Sequence, residues 1–324
     1  MSVPPEGPTD HDPEQPPFAA PGYGPPPPGY GPPPPGYGPP PGYGPPPGAY
    51  PPDPLISPNF SGWWERGLAV VRTSWRELAI LQAIAGVFLL VVQTASALGQ
   101  SFATRDLSQV SAAGTPSMGP FLAATGLALV AGLVGFLLST LVTLAAVRVV
   151  VVAATGGQPN VAEAVRGAAG RLFPMIGWSL LAGLIIIAGL CACVLPAVYL
   201  YAVFIVLAPV VALERGGVIA RCFRLFHGDL GSAVARVATI VGLTVGAGLA
   251  VGLVAVVGDA FANPATASTP ALVVAALVTS AIGVVVTGAL SILTGPLTVG
   301  AYADMRARIE PLSSAVLVRE LATQ

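Results

Sequence analysis

Lysine is missing from this 324-residue chain, and all fourteen basic residues are arginine. Charge of either sign is scarce: Asp, Glu, Lys and Arg make up 9% of residues, against about 25% in a soluble domain. Hydrophobic residues make up 54%, and mean hydropathy is +0.76. A chain this apolar needs lipid to cover it. The net charge of -1 gives a polyanionic backbone no basic surface to grip, so nucleic acid is excluded as a partner. Histidine occurs twice, as His11 and His227. Metal hydrolysis needs several carboxylates or imidazoles converging on an ion, and no cofactor or metal is expected. Neither a GxSxG elbow nor a P-loop is present, so acyl transfer and ATP-driven work have no motif to rest on. The three cysteines, Cys191, Cys193 and Cys222, contain no CxxC pair and supply no disulfide framework. In apolar surroundings they read as small hydrophobes.

Basic and aliphatic residues are also missing from the start of the chain. Residues 1–56 hold no Arg, and their only aliphatics beyond alanine are Val3, Leu55 and Ile56. A Pro/Gly/Tyr repeat fills the middle, with Tyr23, Tyr30, Tyr37, Tyr43 and Tyr50 recurring every six or seven residues. Such a segment cannot build a core and is expected to be disordered, with polyproline II bias. PPGY at 27–30 matches the PPxY pattern of WW-domain ligands, so a protein partner through this tail is one reading; a flexible spacer is the simpler one. The abundance of Ala, Gly, Val, Pro and Arg without Lys is the mark of GC-rich codon usage and points to a bacterial source. The start lacks the basic and apolar regions of a cleaved signal peptide, so the first apolar span is expected to act as the insertion signal.

What the rest of the chain has is long apolar runs. A hydrocarbon core about 30 Å thick needs roughly 20 apolar helical residues. Runs at 78–98, 121–147, 237–257 and 272–294 meet that length. The stretch 175–213 has no charged residue in 39 positions. As one helix it would reach ~58 Å at ~1.5 Å per residue. It is therefore expected to be a hairpin turning near Cys193 to Pro196, giving six spans, with Pro209 kinking the fourth.

Thirteen of the fourteen arginines fall in four segments. Arg66, Arg72 and Arg76 precede span one. Arg148, Arg166 and Arg171 separate spans two and three. Arg215, Arg221, Arg224 and Arg236 separate spans four and five, and Arg306, Arg308 and Arg319 follow span six. The remaining connections hold Arg105 alone. The positive-inside rule then places both termini and the arginine-rich loops in the cytoplasm of a multi-pass plasma-membrane protein. Trp63, Trp64 and Trp75 suit an interfacial aromatic belt. Gly242, Gly246, Gly248 and Gly252 form small-xxx-small patterns, expected to pack helices within the chain.

Short arginine-bearing amphipathic stretches precede pairs of spans. From 218 to about 234, Ile219, Cys222, Phe223, Phe226 and Leu230 share one helical face, with Arg221 and Arg224 opposite. That is the pattern of a helix lying at a membrane interface. Val161, Val165, Ala168 and Leu172 repeat it, with Glu163 and Arg166 opposite. RLF at 171–173 and 224–226 suggests a weak internal repeat of interfacial helix plus two spans. Arg166, Arg221 and Arg224 are the candidate contacts to anionic lipid headgroups. Interfacial anchoring alone is the competing reading, because Glu163, Glu214 and Asp229 are near enough to pair with them.

Four stretches carry a family resemblance: NVAEAVR at 160–166, PAVYL at 196–200 running on to APVVALE at 208–214, RCFRL at 221–225 followed by Gly228, and YADMRARIE at 302–310 after Gly295 and Pro296. In order and spacing, residues 60–320 resemble the membrane domain associated with bacterial glycerophosphoryl diester phosphodiesterases. Ala197 stands where that pattern usually has Gly, and Cys222 where it has Ser. The catalytic barrel is absent, so the resemblance implies a polytopic helical domain and no esterase activity.

The expected architecture is an all-α bundle of about six spans with interfacial helices. A tail at 1–58 precedes a membrane domain at 59–310, and a short cytoplasmic segment at 311–324 follows. The expected role is a non-enzymatic scaffold or accessory in envelope or lipid metabolism, with membrane lipids as partners. The alternative is a transporter with a polar cavity lined by Gln82, Gln93 and Thr94. An enzyme would need His227, Glu214, Asp229 and Asp304 to converge.

Overall fold

The computed structural model describes residues 53–113, 118–263 and 266–323. The expectations for the Pro/Gly/Tyr repeat fall on residues outside these. Every regular element among the described residues is helical: α1 (Phe60–Ala113), α2 (Met118–Ala154), α3 (Val161–Ala169), α4 (Leu172–Ala192), α5 (Val194–Phe204), α6 (Leu207–Leu213), α7 (Val218–Gly228), α8 (Leu230–Phe261), α9 (Thr269–Ala307) and α10 (Ser314–Ala322). Six segments are long and apolar enough to cross a membrane: Phe60–Arg105, Phe121–Ala154, Leu172–Ala192, Val194–Leu213, Leu230–Phe261 and Thr269–Ala307.

The uncharged stretch is a hairpin. Cys193 is extended (φ -175°, ψ 162°) and closes α4. Pro196 follows in the first turn of α5, where a missing N–H costs little. The fourth span is then broken at Ile205 and Val206, between α5 and α6. Pro209 lies four residues beyond Ile205, so it cannot donate to that carbonyl and its ring crowds it. All seven residues of α6 are buried. A helix apolar all round belongs inside a bundle, and α6 packs against α2, α4, α7, α9 and α10.

Several expectations change. The segment before span one is no separate interfacial helix, because α1 runs unbroken for 54 residues. Arg72, Trp75 and Arg76 lie on its first turns. Trp63 is 1% exposed and donates from Nε1 to the Leu297 carbonyl (3.1 Å), so it is a core residue rather than part of an interfacial belt. Gly300 makes room for it: a methyl group there would stand 3.4 Å from the indole. The amphipathic stretch at 218 stops at Gly228. Asp229 then accepts from the Ser232 N–H as the cap of α8, and Leu230 is exposed. The two RLF triplets do not correspond, since Arg171 caps α4 while Arg224 lies inside α7. Gly242, Gly246, Gly248 and Gly252 have open space where a side chain would go, so among the described residues no helix packs closely on them.

Residues 53–58, assigned to the tail from sequence, belong to the packed domain. Asp53 accepts from the backbone of Leu55 and Ile56 and from Ser314 N (2.8 Å) at the start of α10. Leu55 and Ser57 are buried. The C-terminal segment is likewise docked, with Leu317 and Leu321 buried one turn apart on α10.

Candidate functional site

The arginine-bearing end of the bundle holds the richest polar chemistry among the described residues. Its organiser is YADMRARIE at 302–310. Successive helical residues are about 100° apart, so residues two apart point to different faces and residues four apart share one. The motif therefore splits into two sets.

The first set is Asp304 and Arg308. Asp304 faces Arg236 of α8 (Nη2 to Oδ2, 3.0 Å), with both side chains at 1% exposure or less. Ser57 N donates to Asp304 Oδ1, and Arg236 donates back to Ser57 O (3.1 Å). The pair thereby fastens the entry to α1 onto α8 and α9. Arg308 pairs with Asp229. Hydrogen bonds from Ser232, with the Arg308 charge behind them, hold the Asp229 carboxyl below its usual range.

The second set is Tyr302, Arg306 and Glu310. Tyr302 donates to Glu214 Oε1 (2.7 Å) and accepts from Arg306 Nη1 (2.9 Å). Arg306 also forks onto Glu320 of α10 through Nη1 and Nη2 (2.7 Å each) and pairs with Glu310 one turn on. Arg221 of α7 bridges Glu214 (2.5 Å) and Glu310 (2.6 Å). Burial works against the charge of Arg221, but Glu214 and Glu310 more than offset it and raise its pKa. Burial likewise opposes ionisation of Glu310, yet Arg306 and Arg221 hold it below its ordinary 4.5. Burial, reinforced by the Glu214 charge, pushes the Cys222 thiol up to about 12, which leaves it protonated and unreactive.

The three arginines singled out from sequence therefore separate. Arg221 is 9% exposed and held by two carboxylates, so it lies on the buried face of α7 and has no free guanidinium to offer a headgroup. Arg166 and Arg224 are exposed. Arg148 of α2 donates to the Leu321 carbonyl (3.3 Å), and Arg215 donates to that of Thr323 (2.6 Å). Burial and the Arg215 charge depress the pKa of Arg171.

The other candidate groups do not come together. Glu214, Asp229 and Asp304 have the partners just described, and His227 contacts the Tyr199 hydroxyl (3.0 Å) and the Phe223 carbonyl (2.8 Å). Of the proposed transport residues, Gln82 lines a cavity of about 180 Å³ with Thr143, Ser291, Thr294 and Thr298, beside the break in the fourth span. Gln93 and Thr94 are not part of that lining. No family model matches the chain, and no curated protein or solved structure does either.

Proposed function

We propose that the chain is a non-enzymatic protein of a bacterial plasma membrane, with both termini cytoplasmic, acting as a scaffold or accessory in envelope or lipid metabolism. One observation carries this reading. The polar and buried residues gather at the arginine-bearing end, while the apolar helices leave their flanks uncovered, as lipid solvation would have it. In this orientation that end lies at the inner leaflet, where anionic lipids attract arginine. Exposed Arg166 and Arg224 add a diffuse attraction to that surface. The four stretches that resemble the phosphodiesterase-associated membrane domain fit the same reading. Deleting the gene and comparing phospholipid profiles by mass spectrometry tests the role. A changed profile, restored by the wild-type gene, supports it; an unchanged profile contradicts it.

The polar cavity favours a second reading, a facilitator for a small polar solute. Gln82 has no hydrogen-bond partner among the described residues, and an unpaired amide at membrane depth is costly. A water or solute in the cavity would satisfy it. Solute efflux from proteoliposomes that falls on Gln82→Leu supports this alternative, and flux indifferent to the substitution contradicts it.

A further inference from the structure

The cavity beside the break in the fourth span has a lining with one chemical sense. It draws Gln82 from α1, Thr143 from α2, and Ser291, Thr294 and Thr298 from α9. A hydroxyl has a single proton to give. Thr143 gives its proton to the Ser139 carbonyl (2.7 Å), Ser291 to that of Thr287 (2.8 Å) and Thr294 to that of Leu290 (3.0 Å). A carbonyl can only accept, so the direction of these bonds is fixed. What the three hydroxyls can still offer a ligand is lone pairs. Thr298 and the Gln82 amide add further oxygens. The lining is therefore rich in acceptors and poor in donors.

The break in the span works in the same direction. Ile205 caps the C-terminal end of α5 and lines the cavity, and that end of a helix carries partial negative charge. Pro209, on the α6 side of the break, also lines the cavity and has no N–H to present. No carboxylate, guanidinium or imidazole is among the lining residues. These features select a ligand. A divalent cation asks for carboxylates, and an anion asks for donors that the lining lacks. The space is about 180 Å³, against about 30 Å³ for one water molecule's share of the liquid, so a bare alkali ion would leave most of it unfilled. Ala146, Val147, Ala208 and Val299 complete the wall, which gives the occupant an apolar side to rest on. A primary ammonium brings N–H donors and no acceptor, and a short alkyl body suits the apolar side.

We infer that this cavity is a binding site for a small primary alkylammonium ion. Neutral oxygens take the place of the water around the cation, as backbone carbonyls do in potassium-selective filters. The site rests on the facilitator reading above where the ion passes on through the bundle, and stands without it where the ion is only held.

The test uses the full chain in neutral detergent, with propylammonium as the probe. Its comparators are tetramethylammonium (same charge, no N–H), propanol (same alkyl body, no charge) and propionate (opposite charge). Binding is measured by titration calorimetry and thermal shift. Propylammonium should bind at least about tenfold tighter than each comparator, the margin that goes with one charge-assisted hydrogen bond. Thr294→Val and Thr298→Val keep the side-chain shape and remove an oxygen. Each should weaken propylammonium binding about tenfold and leave the ligand-free melting temperature unchanged, which separates lost binding from lost folding. Thr244 of α8 bonds the Ile240 carbonyl in the same way (2.9 Å) but is not part of the lining, so Thr244→Val should bind as wild type does. Tetramethylammonium or propanol bound as tightly as propylammonium overturns the site, as does unchanged affinity in both cavity variants. Wild type that binds none of these probes overturns it too. Proteoliposome flux separates the site from the facilitator reading. Propylammonium bound but not carried keeps the site and removes that reading. Flux of an uncharged solute that falls on Gln82→Leu, without propylammonium binding, removes the site and keeps the reading.

Discussion

The two ends of α8 show how differently one helix can be held. At its start, Arg236 is 1% exposed, locked between Asp304 and Ser57. Further on, Leu249 is 72% and Phe261 87% exposed, and only 6% of the helix's apolar stretch is buried. In water the second region would be untenable. In lipid it is ordinary, because acyl chains solvate leucine as well as protein does. Apolar burial therefore gives little reason for one arrangement of spans over another at membrane depth. Specific structure comes from the end where polar groups must find each other: the Arg236–Asp304 pair, the Glu214, Arg221, Glu310 and Arg306 network, and the docked α10.

The sharpest way to break this comparison is to remove one member of the buried pair. Asp304→Ala leaves Arg236 uncompensated and should cost about 3–5 kcal/mol. Leu249→Ala should cost about 0.5 kcal/mol or less, as for an uncovered position. Thermal unfolding in detergent checks both, and similar shifts would erase the distinction. Tyr302→Phe removes the hydroxyl between Glu214 and Arg306 and should cost about 1–3 kcal/mol, the penalty for stranding buried polar partners. Equilibrium unfolding of that variant measures it.

Acid should act on the same end. Glu310 has a folded pKa below its ordinary 4.5. Its contribution is thus complete above that value and lost as pH falls through the folded one. Glu310's contribution to the melting temperature should be constant from neutral pH down to about 5 and be lost below it. Glu310→Gln should flatten that part of the acid limb in a pH series of melts; an unchanged acid limb would remove Glu310 from the account. The smallest effect is expected in the other region. Gly246→Ala meets no neighbour and should raise stability by up to about 1 kcal/mol through helix propensity. A lower melting temperature would mean that the glycine face is covered.

Much of the fold was legible because the determining signals are local. Apolar length marked the spans, the uncharged stretch at 175–213 exceeded one span, and Pro209 marked the break. The continuity of α1 was not legible. Arg72 and Arg76 look like a boundary, but a helix carries charge easily outside the hydrocarbon. Amphipathic spacing found α7 but misplaced Arg221. Periodicity reports which residues share a face and says nothing of Glu310, 89 positions away, that rewards burying an arginine. The same distance problem hid Asp53, which meets Ser314 across 261 residues. One local clue was available: YADMRARIE alternates partners at two-residue spacing, which on a helix sends its charges to two faces.

The threading of the chain is tested most directly by thiol labelling. In a background with Cys191, Cys193 and Cys222 replaced, single cysteines at Gln158, between α2 and α3, and at Thr266, between α8 and α9, would be probed in intact cells with a membrane-impermeant maleimide. The account predicts that the Thr266 position labels from outside and the Gln158 position only after lysis. Labelling of both from the same side would contradict it.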